Sequence, residues 1–390
     1  MDFDLGETQQ AVIEAAAGVL GQRQPHPQQP PPPGAADDYD RALWKELGQA
    51  GLLGLAIPER LGGGGLGVLD TAVLLTEIGR RAAPVPALAT LMMGVLPLTR
   101  WAGQALQSQY LTGVGAGDVV ITAAIREPSA PMPAQPATTI SVRDGTVSGV
   151  KIGVAYAAAA NWILVPATLG RGEGAGAHGG ERDTARDGTA IAVVDPAAGG
   201  VTLDRTPSST GAPEYTLRLD EVVASTILPD TNRAGGRAMA DLYQLTLAGA
   251  CSLGDGALAA ALALTTEHVA TRRQFGRPLA TFQAVAQHIA DVAIARRTLH
   301  LAALNGCWRL DTGREAGRDL DVAAYWLAEQ APEALRTCHH LHGGTGMDVS
   351  YPLHRYSALV KDLARLVGGP DYRLGLLGAG VAAEGARDVR

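Results

Sequence analysis

Aromatic residues are scarce in this chain, 4% of 390, and only three are phenylalanines. A core with so few large rings must be filled by aliphatic side chains and alanine, which dominate the 46% hydrophobic content. That favours closely packed helices with small residues at their contacts, in a chain long enough for two or three domains. Cysteine is nearly as rare. Cys251, Cys307 and Cys338 have neither disulfide nor metal-ligand spacing and read as reduced, buried thiols. Positive charge is not in excess. A formal charge of -7 argues against a nucleic-acid surface but allows a locally basic pocket for phosphates. The opening "MDFDLGETQQAVIEAAAGVL" lacks a basic segment followed by an apolar core, so no signal peptide is expected. Nor is any apolar run expected to be long enough to span a bilayer. The expectation is a soluble cytoplasmic protein.

What is present falls into three textures. Residues 1–118 carry helical apolar spacing, as in "ETQQAVIEAAAGVL" and in "DRALWKELGQAGLLGLAI", a helix expected from Asp40 towards Pro58. Between them, residues 24–40 form a proline-rich linker, because proline lacks a backbone donor and favours polyproline II. Residues 119–230 read as a middle β domain of short apolar strands. Its clearest signal is Asp144-Gly145, a hairpin turn in which both residues tolerate positive φ. Residues 170–189 are a polar, Gly-rich flexible loop. Residues 231–390 are long Ala/Leu-rich helices. Helices, then strands, then helices define an α+β fold, not an alternating βα sheet. "GGGGLG" (62–67) fits a dinucleotide fingerprint but follows a helix and Pro58 rather than a strand, so it reads as a flexible loop.

Two stretches carry a resemblance. "TRRQFGRPLATFQAVAQHIAD" (271–291) is similar to the R-x-Q-F-G-x-P segment of the acyl-CoA dehydrogenases, and "CHHLHGGTGM" (338–347) to their Q-x-H-G-G-x-G segment. "LWKELGQAGLLGLAIPERLGGGGLG" (43–67) resembles the family's N-terminal W-x-x-L…P-E-x-x-G-G-x-G. The resemblance implies that family's architecture along nearly the whole chain: an N-terminal helical domain, a middle β-barrel or sandwich, and a C-terminal four-helix bundle. It implies an FAD enzyme acting on acyl-CoA thioesters, in which a carboxylate removes the α-proton while the cofactor does the hydride chemistry. It implies tetramers in which each flavin lies at a subunit boundary, and an electron-transfer flavoprotein or similar acceptor.

Carried over residue by residue, the resemblance gives Arg272 to the FAD diphosphate, where a guanidinium fork can satisfy two oxygens. In isolation Arg272 and Arg273 would simply offset a helix C-terminal dipole. Gln274, Phe275 and Phe282 match the motif, and interface packing accounts for them equally well. His340 stands at the usual glutamine. Gly343 and Gly344 allow close backbone approach to the cofactor. His339, His340 and His342 lack a carboxylate or cysteine partner pattern, and no metal is expected.

These residues would serve a neighbour's flavin. Those that would serve the chain's own flavin ring are changed. In "REPSAPMP" (126–133), Arg126 replaces a threonine, and Pro131, Met132 and Pro133 replace Gly-Ser-Asp. In "KIGVAY" (151–156), Gly153 replaces an aromatic and Ala155 a hydroxyl. The two family positions for the catalytic base hold Gly368 and Tyr243, so no catalytic residue is assigned. The leading expectation is the base-lacking subunit of a heterotetramer, paired with a catalytic acyl-CoA dehydrogenase chain and sharing its FAD. Steroid-type thioesters enter by analogy. The alternatives are a self-sufficient homotetramer with a relocated base (Asp371 or Tyr243), a flavin-dependent monooxygenase or oxidase, and a purely structural protein.

Overall fold

The computed structural model describes residues 4–21, 39–170, 188–229 and 235–388. The expected proline-rich linker and Gly-rich loop lie outside them, apart from their end residues. Helix α1 (Glu7–Gly21) leads to α2 (Arg41–Gln49), whose first turn is capped by Asp40 accepting from the Leu43 amide at 2.8 Å. α2 stops at Gln49 and does not run to Pro58. The Ala50 amide closes the last turn on the Glu46 carbonyl, and Gly51 takes φ 75, a left-handed conformation that ends helices. Leu52, Leu53 and Ile57 are nevertheless buried, the first two on a short 3-10 helix (Leu52–Gly54) and Ile57 on the bend after it.

The glycine run beyond them is packed, not free. The Gly63, Gly64, Gly65 and Leu66 amides all donate to carbonyls of residues 54–58. A Cβ at Gly63 would lie 2.1 Å from the Ile57 oxygen. Helix α3 (Val68–Arg81) follows, then a π-helical stretch (Leu88–Val95) that continues as α4 (Leu96–Trp101), and α5 (Gln104–Leu111).

Strands β1 (Ile121–Ala123), β2 (Thr139–Ser141), β3 (Thr146–Ala155), β4 (Trp162–Gly170), β5 (Thr189–Val194), β6 (Val201–Thr206), β7 (Glu214–Val223) and β8 (Thr226–Leu228) form one mixed sheet. Its order is β6-β7-β3-β2-β4-β5-β8, with β1 paired parallel to β4. β2 and β3 pair antiparallel across the Asp144-Gly145 turn. Only Gly145 uses positive φ there (70°). Asp144 instead accepts from the Thr146 amide and hydroxyl, the local side-chain turn this residue favours.

Helix α6 (Gly235–Thr271) is the axis of the rest. It packs on α3, on α7 (Gln283–Asp311), on α8 (Gly317–His342) and on α9 (Leu353–Leu366); α10 (Pro370–Asp388) lies on α8. The α3–α6 crossing explains the small residues. A Cβ on Gly79 would meet the Leu253 oxygen at 2.2 Å, and one on Gly256 the Thr76 oxygen at 2.0 Å. Contrary to the sequence expectation, α6 is long and apolar enough to cross a membrane, with mean hydropathy 1.6 over its best window, but 72% of that window is buried inside the fold. It is a core helix.

Candidate functional site

The ends of α6 and α8 create one face. The Arg272 amide closes the last turn of α6 on the His268 carbonyl at 2.8 Å. The chain then makes a two-stranded hairpin, β9 (Arg273–Gln274) with β10 (Arg277–Pro278). At its tip Phe275 has φ 53 and is 90% exposed. A non-glycine residue in that region is strained, and its ring has little covering it beyond an edge contact to Phe282, 6.1 Å between centroids. Arg277 lies over the Phe282 ring at 4.1 Å, a cation–π contact that fixes the hairpin base. Arg272 and Gln274 are exposed.

On α8, His340 is exposed, with its ring edge-on to His288 of α7 at 5.9 Å. Gly343 ends the helix at φ 57, and both Gly343 and Gly344 face open space. The two segments are tied together beneath the surface by His268 and His342, whose rings stack at 4.4 Å. All seven residues assigned to cofactor binding, Arg272, Gln274, Phe275, Phe282, His340, Gly343 and Gly344, therefore belong to neighbouring segments at one end of the bundle. Just beyond the glycine turn in sequence, Met347 (79% exposed) and Val349 (81%) add exposed apolar side chains.

The other candidate region is closed by the chain's own side chains. Gly368 has φ 93, and a Cβ there would lie 2.6 Å from Tyr372 Cδ1 and 2.8 Å from Pro131 Cγ. The segment that fills this place is held from three sides. Tyr243 donates to the Pro133 carbonyl at 3.1 Å and Tyr372 to the Met132 carbonyl at 3.2 Å. Arg373, buried on α10, donates to the Met132 sulfur at 3.0 Å, to the Val367 carbonyl at 2.6 Å and to Asp321 at 2.7 Å. Burial pushes the Tyr243 hydroxyl well above its ordinary range, with Glu127 and Tyr372 adding to the rise, which keeps it protonated as the donor to the Pro133 carbonyl. Asp371 is exposed in the first turn of α10.

A second block stands at Gly153. Its φ is 61, and a Cβ would lie 2.8 Å from Arg126 Nη1 and 3.5 Å from Arg365 Nη1. Arg365 pairs with Glu214 at 2.6 Å and with Asp362 at 3.2 Å. Asp362 also accepts from the Ser209 and Thr210 amides, both at 2.9 Å, clamping α9 to the sheet. Burial and the nearby Arg365 guanidinium weaken Arg126's hold on its proton, partly offset by Glu214.

Beside it, Glu127 and Lys151 form a fully buried ion pair at 2.7 Å. Burial alone would raise the Glu127 pKa. Hydrogen bonds from Lys151, the Thr138 amide and hydroxyl, and the Ala137 amide outweigh it and hold the carboxyl below its usual range. Burial depresses Lys151, and Glu127 opposes the depression.

Sequence reading missed Arg365, Glu214, Asp362 and Arg373 as parts of this region. Their charges are spaced like those of any solvated helix or strand, and only the fold brings them to residues 126–133. The three cysteines are buried and unpaired. Burial raises their thiols, that of Cys307 to about 12. Among the described residues no group of His, Cys, Asp or Glu has the arrangement to hold a metal.

A helical layer, a mixed sheet and a bundle whose helix ends present an arginine hairpin and a glycine turn form the architecture that the acyl-CoA dehydrogenase resemblance implies. Comparison with known proteins agrees. Residues 6–118 match the acyl-CoA dehydrogenase N-terminal domain and residues 245–373 the acyl-CoA dehydrogenase C-terminal domain. The chain is 43% identical over 380 residues to acyl-CoA dehydrogenase FadE28 of Mycobacterium tuberculosis, covering 97% of this chain and 98% of that one. Among solved structures, it is similar to a variant of the Tcur3481–Tcur3483 steroid ACAD (TM-score 0.87, 31% identity, 98% and 100% of the two chains). It is also similar to the ChsE4–ChsE5 complex of Mycobacterium tuberculosis (TM-score 0.85, 28% identity, 98% and 99% covered). The chain belongs to the acyl-CoA dehydrogenase family.

Proposed function

We propose that this chain is the base-lacking subunit of a heteromeric acyl-CoA dehydrogenase, and that it helps a catalytic partner chain hold FAD. The observation that carries this reading is the contrast between its two candidate regions. At Gly368 a side chain is excluded twice, by a left-handed backbone and by Pro131 and Tyr372. At Arg272 and Gly343–Gly344 the chain is exposed and open. Decay without a role would erode both regions alike.

The residues fit FAD in one half only. The neighbour-facing half suits its diphosphate, with Arg272 as the charged fork and Gly343–Gly344 allowing close approach. The ring-side half does not fit, because Arg126 fills the space at Gly153 where an aromatic would stand. No step of the reaction is therefore assigned to this chain's own ring side. In the complex, bound FAD would supply the hydride acceptor and the partner chain the base. This chain's part is to fix the anionic end of the cofactor and to shield the boundary from water.

The substrate in this reading is an acyl-CoA thioester. The Tcur3481–Tcur3483 steroid ACAD among the structural relatives favours a bulky acyl group for the same complex. Unpaired buried cysteines suit a reducing compartment such as the cytoplasm. Neither relocated base is favoured: Tyr243 is committed to the Pro133 carbonyl, and Asp371 faces solvent.

The test is co-expression with dehydrogenase-like chains encoded nearby, followed by acyl-CoA oxidation with an artificial electron acceptor. Turnover by a co-purified pair, abolished when the partner's glutamate is replaced, is the expected result. Turnover by this chain alone would overturn the proposal.

A further inference from the structure

The neighbour-facing segments meet over a set of histidines that the proposed function does not use. His342, the last residue of α8, is buried. Its Nδ1 lies 2.8 Å from the Cys338 carbonyl, which can only accept, so this nitrogen carries the proton. Its Nε2 lies 3.1 Å from the Tyr351 hydroxyl, and the neutral ring accepts there. His339, one turn back, repeats the pattern: Nδ1 donates to the Gly346 carbonyl at 3.0 Å, and Nε2 accepts from Ser357 at 2.7 Å. His339 thus ties α8 to the Gly343–Met347 turn through Gly346, and His342 ties it to Tyr351 beyond the turn; the Ser357 and Tyr351 hydroxyls can donate or accept, so these bonds do not themselves depend on the rings' charge. Against His342 stacks His268 of α6, at 4.4 Å and 26° between planes. Four residues on, Arg272 shares the helix face of His268.

We infer that the His268–His342 stack positions Arg272 against the Gly343–Gly344 turn and lets the two segments part when His268 is protonated. A second positive charge at stacking distance, beside the Arg272 guanidinium, has no carboxylate to offset it within the stack. The groups that act on the pair are Arg272 on α6, His339 on α8 and, through His339, His354 on α9; Glu267 acts on Tyr351 instead, and on α7 His288 faces His340. Burial, then His342 and Arg272, lower the pKa of His268, and burial lowers that of His339. The folded state thus binds protons less well than the unfolded chain. The stack is whole above the ordinary histidine value of about 6.5 and weakens as pH falls below it. If the cofactor role holds, this is a pH-dependent release of the partner's FAD.

The inference rests on the proposed function for its consequence but not for its test. Hydrogen exchange of the lone full-length chain, corrected for intrinsic rates, reads the 343–347 amides from pH 7.5 to 5.5. The expected result is a roughly tenfold loss of protection in that turn on acidification, with protection elsewhere in α8 retained. His268→Gln, which stacks but cannot take a proton, is expected to abolish the pH dependence; His268→Asn is a second neutral replacement should the glutamine disturb the fold. A turn whose protection does not change with pH, or changes equally in wild type and both variants, overturns the inference. A pH response in the lone chain, with no partner complex ever forming, would refute the proposed function and leave this inference standing.

Discussion

Pro131 stands where a side chain on residue 368 would have to be, with its Cγ 2.8 Å from the position of a Cβ on Gly368. The space beside residue 368 is thus occupied by another part of the same chain. That part is a segment fastened by Tyr243, Tyr372 and Arg373.

Restoring the carboxylate therefore does not restore a site. Gly368→Glu must adopt φ 93 and displace Pro131 or Tyr372. The expected cost is on the order of 2–4 kcal/mol, from left-handed backbone strain plus overpacking. Urea unfolding measures it. The variant is expected to oxidise no acyl-CoA; measurable turnover with unchanged stability would show that the site is open after all.

Arg272→Ala should leave the fold within about 0.5 kcal/mol of wild type, because the side chain is exposed. In the complex it is expected to weaken FAD retention by roughly 10- to 100-fold, the worth of a charge-assisted hydrogen bond. Arg272→Lys should recover only part, since an ammonium lacks the bidentate fork. Flavin absorbance after gel filtration is the readout.

Tyr243→Phe separates a structural hydroxyl from a relocated base. The hydroxyl donates to the Pro133 carbonyl, so its loss should lower stability by about 1 kcal/mol and leave turnover of the complex unchanged. A loss of turnover by orders of magnitude would assign the base to this chain.

The Glu127–Lys151 pair anchors the strands behind the closing segment. Glu127→Gln leaves a buried ammonium without its charge partner and is expected to cost about 3–5 kcal/mol, whereas Glu127→Leu with Lys151→Met should recover most of it. The folded carboxyl titrates below its ordinary value. Its contribution is present above about pH 4.3 and is lost as pH falls through the folded pKa. The acid limb of a stability-versus-pH curve should therefore flatten in the double variant.

Local signals carried most of the fold from sequence. The order of helices, strands and helices and the 144–145 turn were legible because each depends on neighbours in the chain; the small-residue helix contacts were legible from composition, though not which helices make them. The run 50–57 was not. Its apolar pattern suits a helix, but Gly51 and packing against the glycine loop turn it into tight bends. The membrane-length window of α6 shows the reverse limit: composition alone does not say that four helices bury it. At the candidate site, the lack of any side chain at Gly368 could be read from the sequence. The segment that fills its place could not, because Met132 and Tyr372 meet across 240 residues of sequence. Arg126 looked like a simple substitution of a threonine. Its position against Gly153 and Arg365 follows only from how the sheet and α9 are clamped together.

In the proposed complex this chain serves a flavin it cannot hold alone. The most direct test is the flavin content of the chain purified by itself and of the chain purified with its partner. The account expects a colourless lone chain and a yellow complex carrying one FAD for each pair of unlike chains. A lone chain saturated with FAD, one per polypeptide, would contradict it.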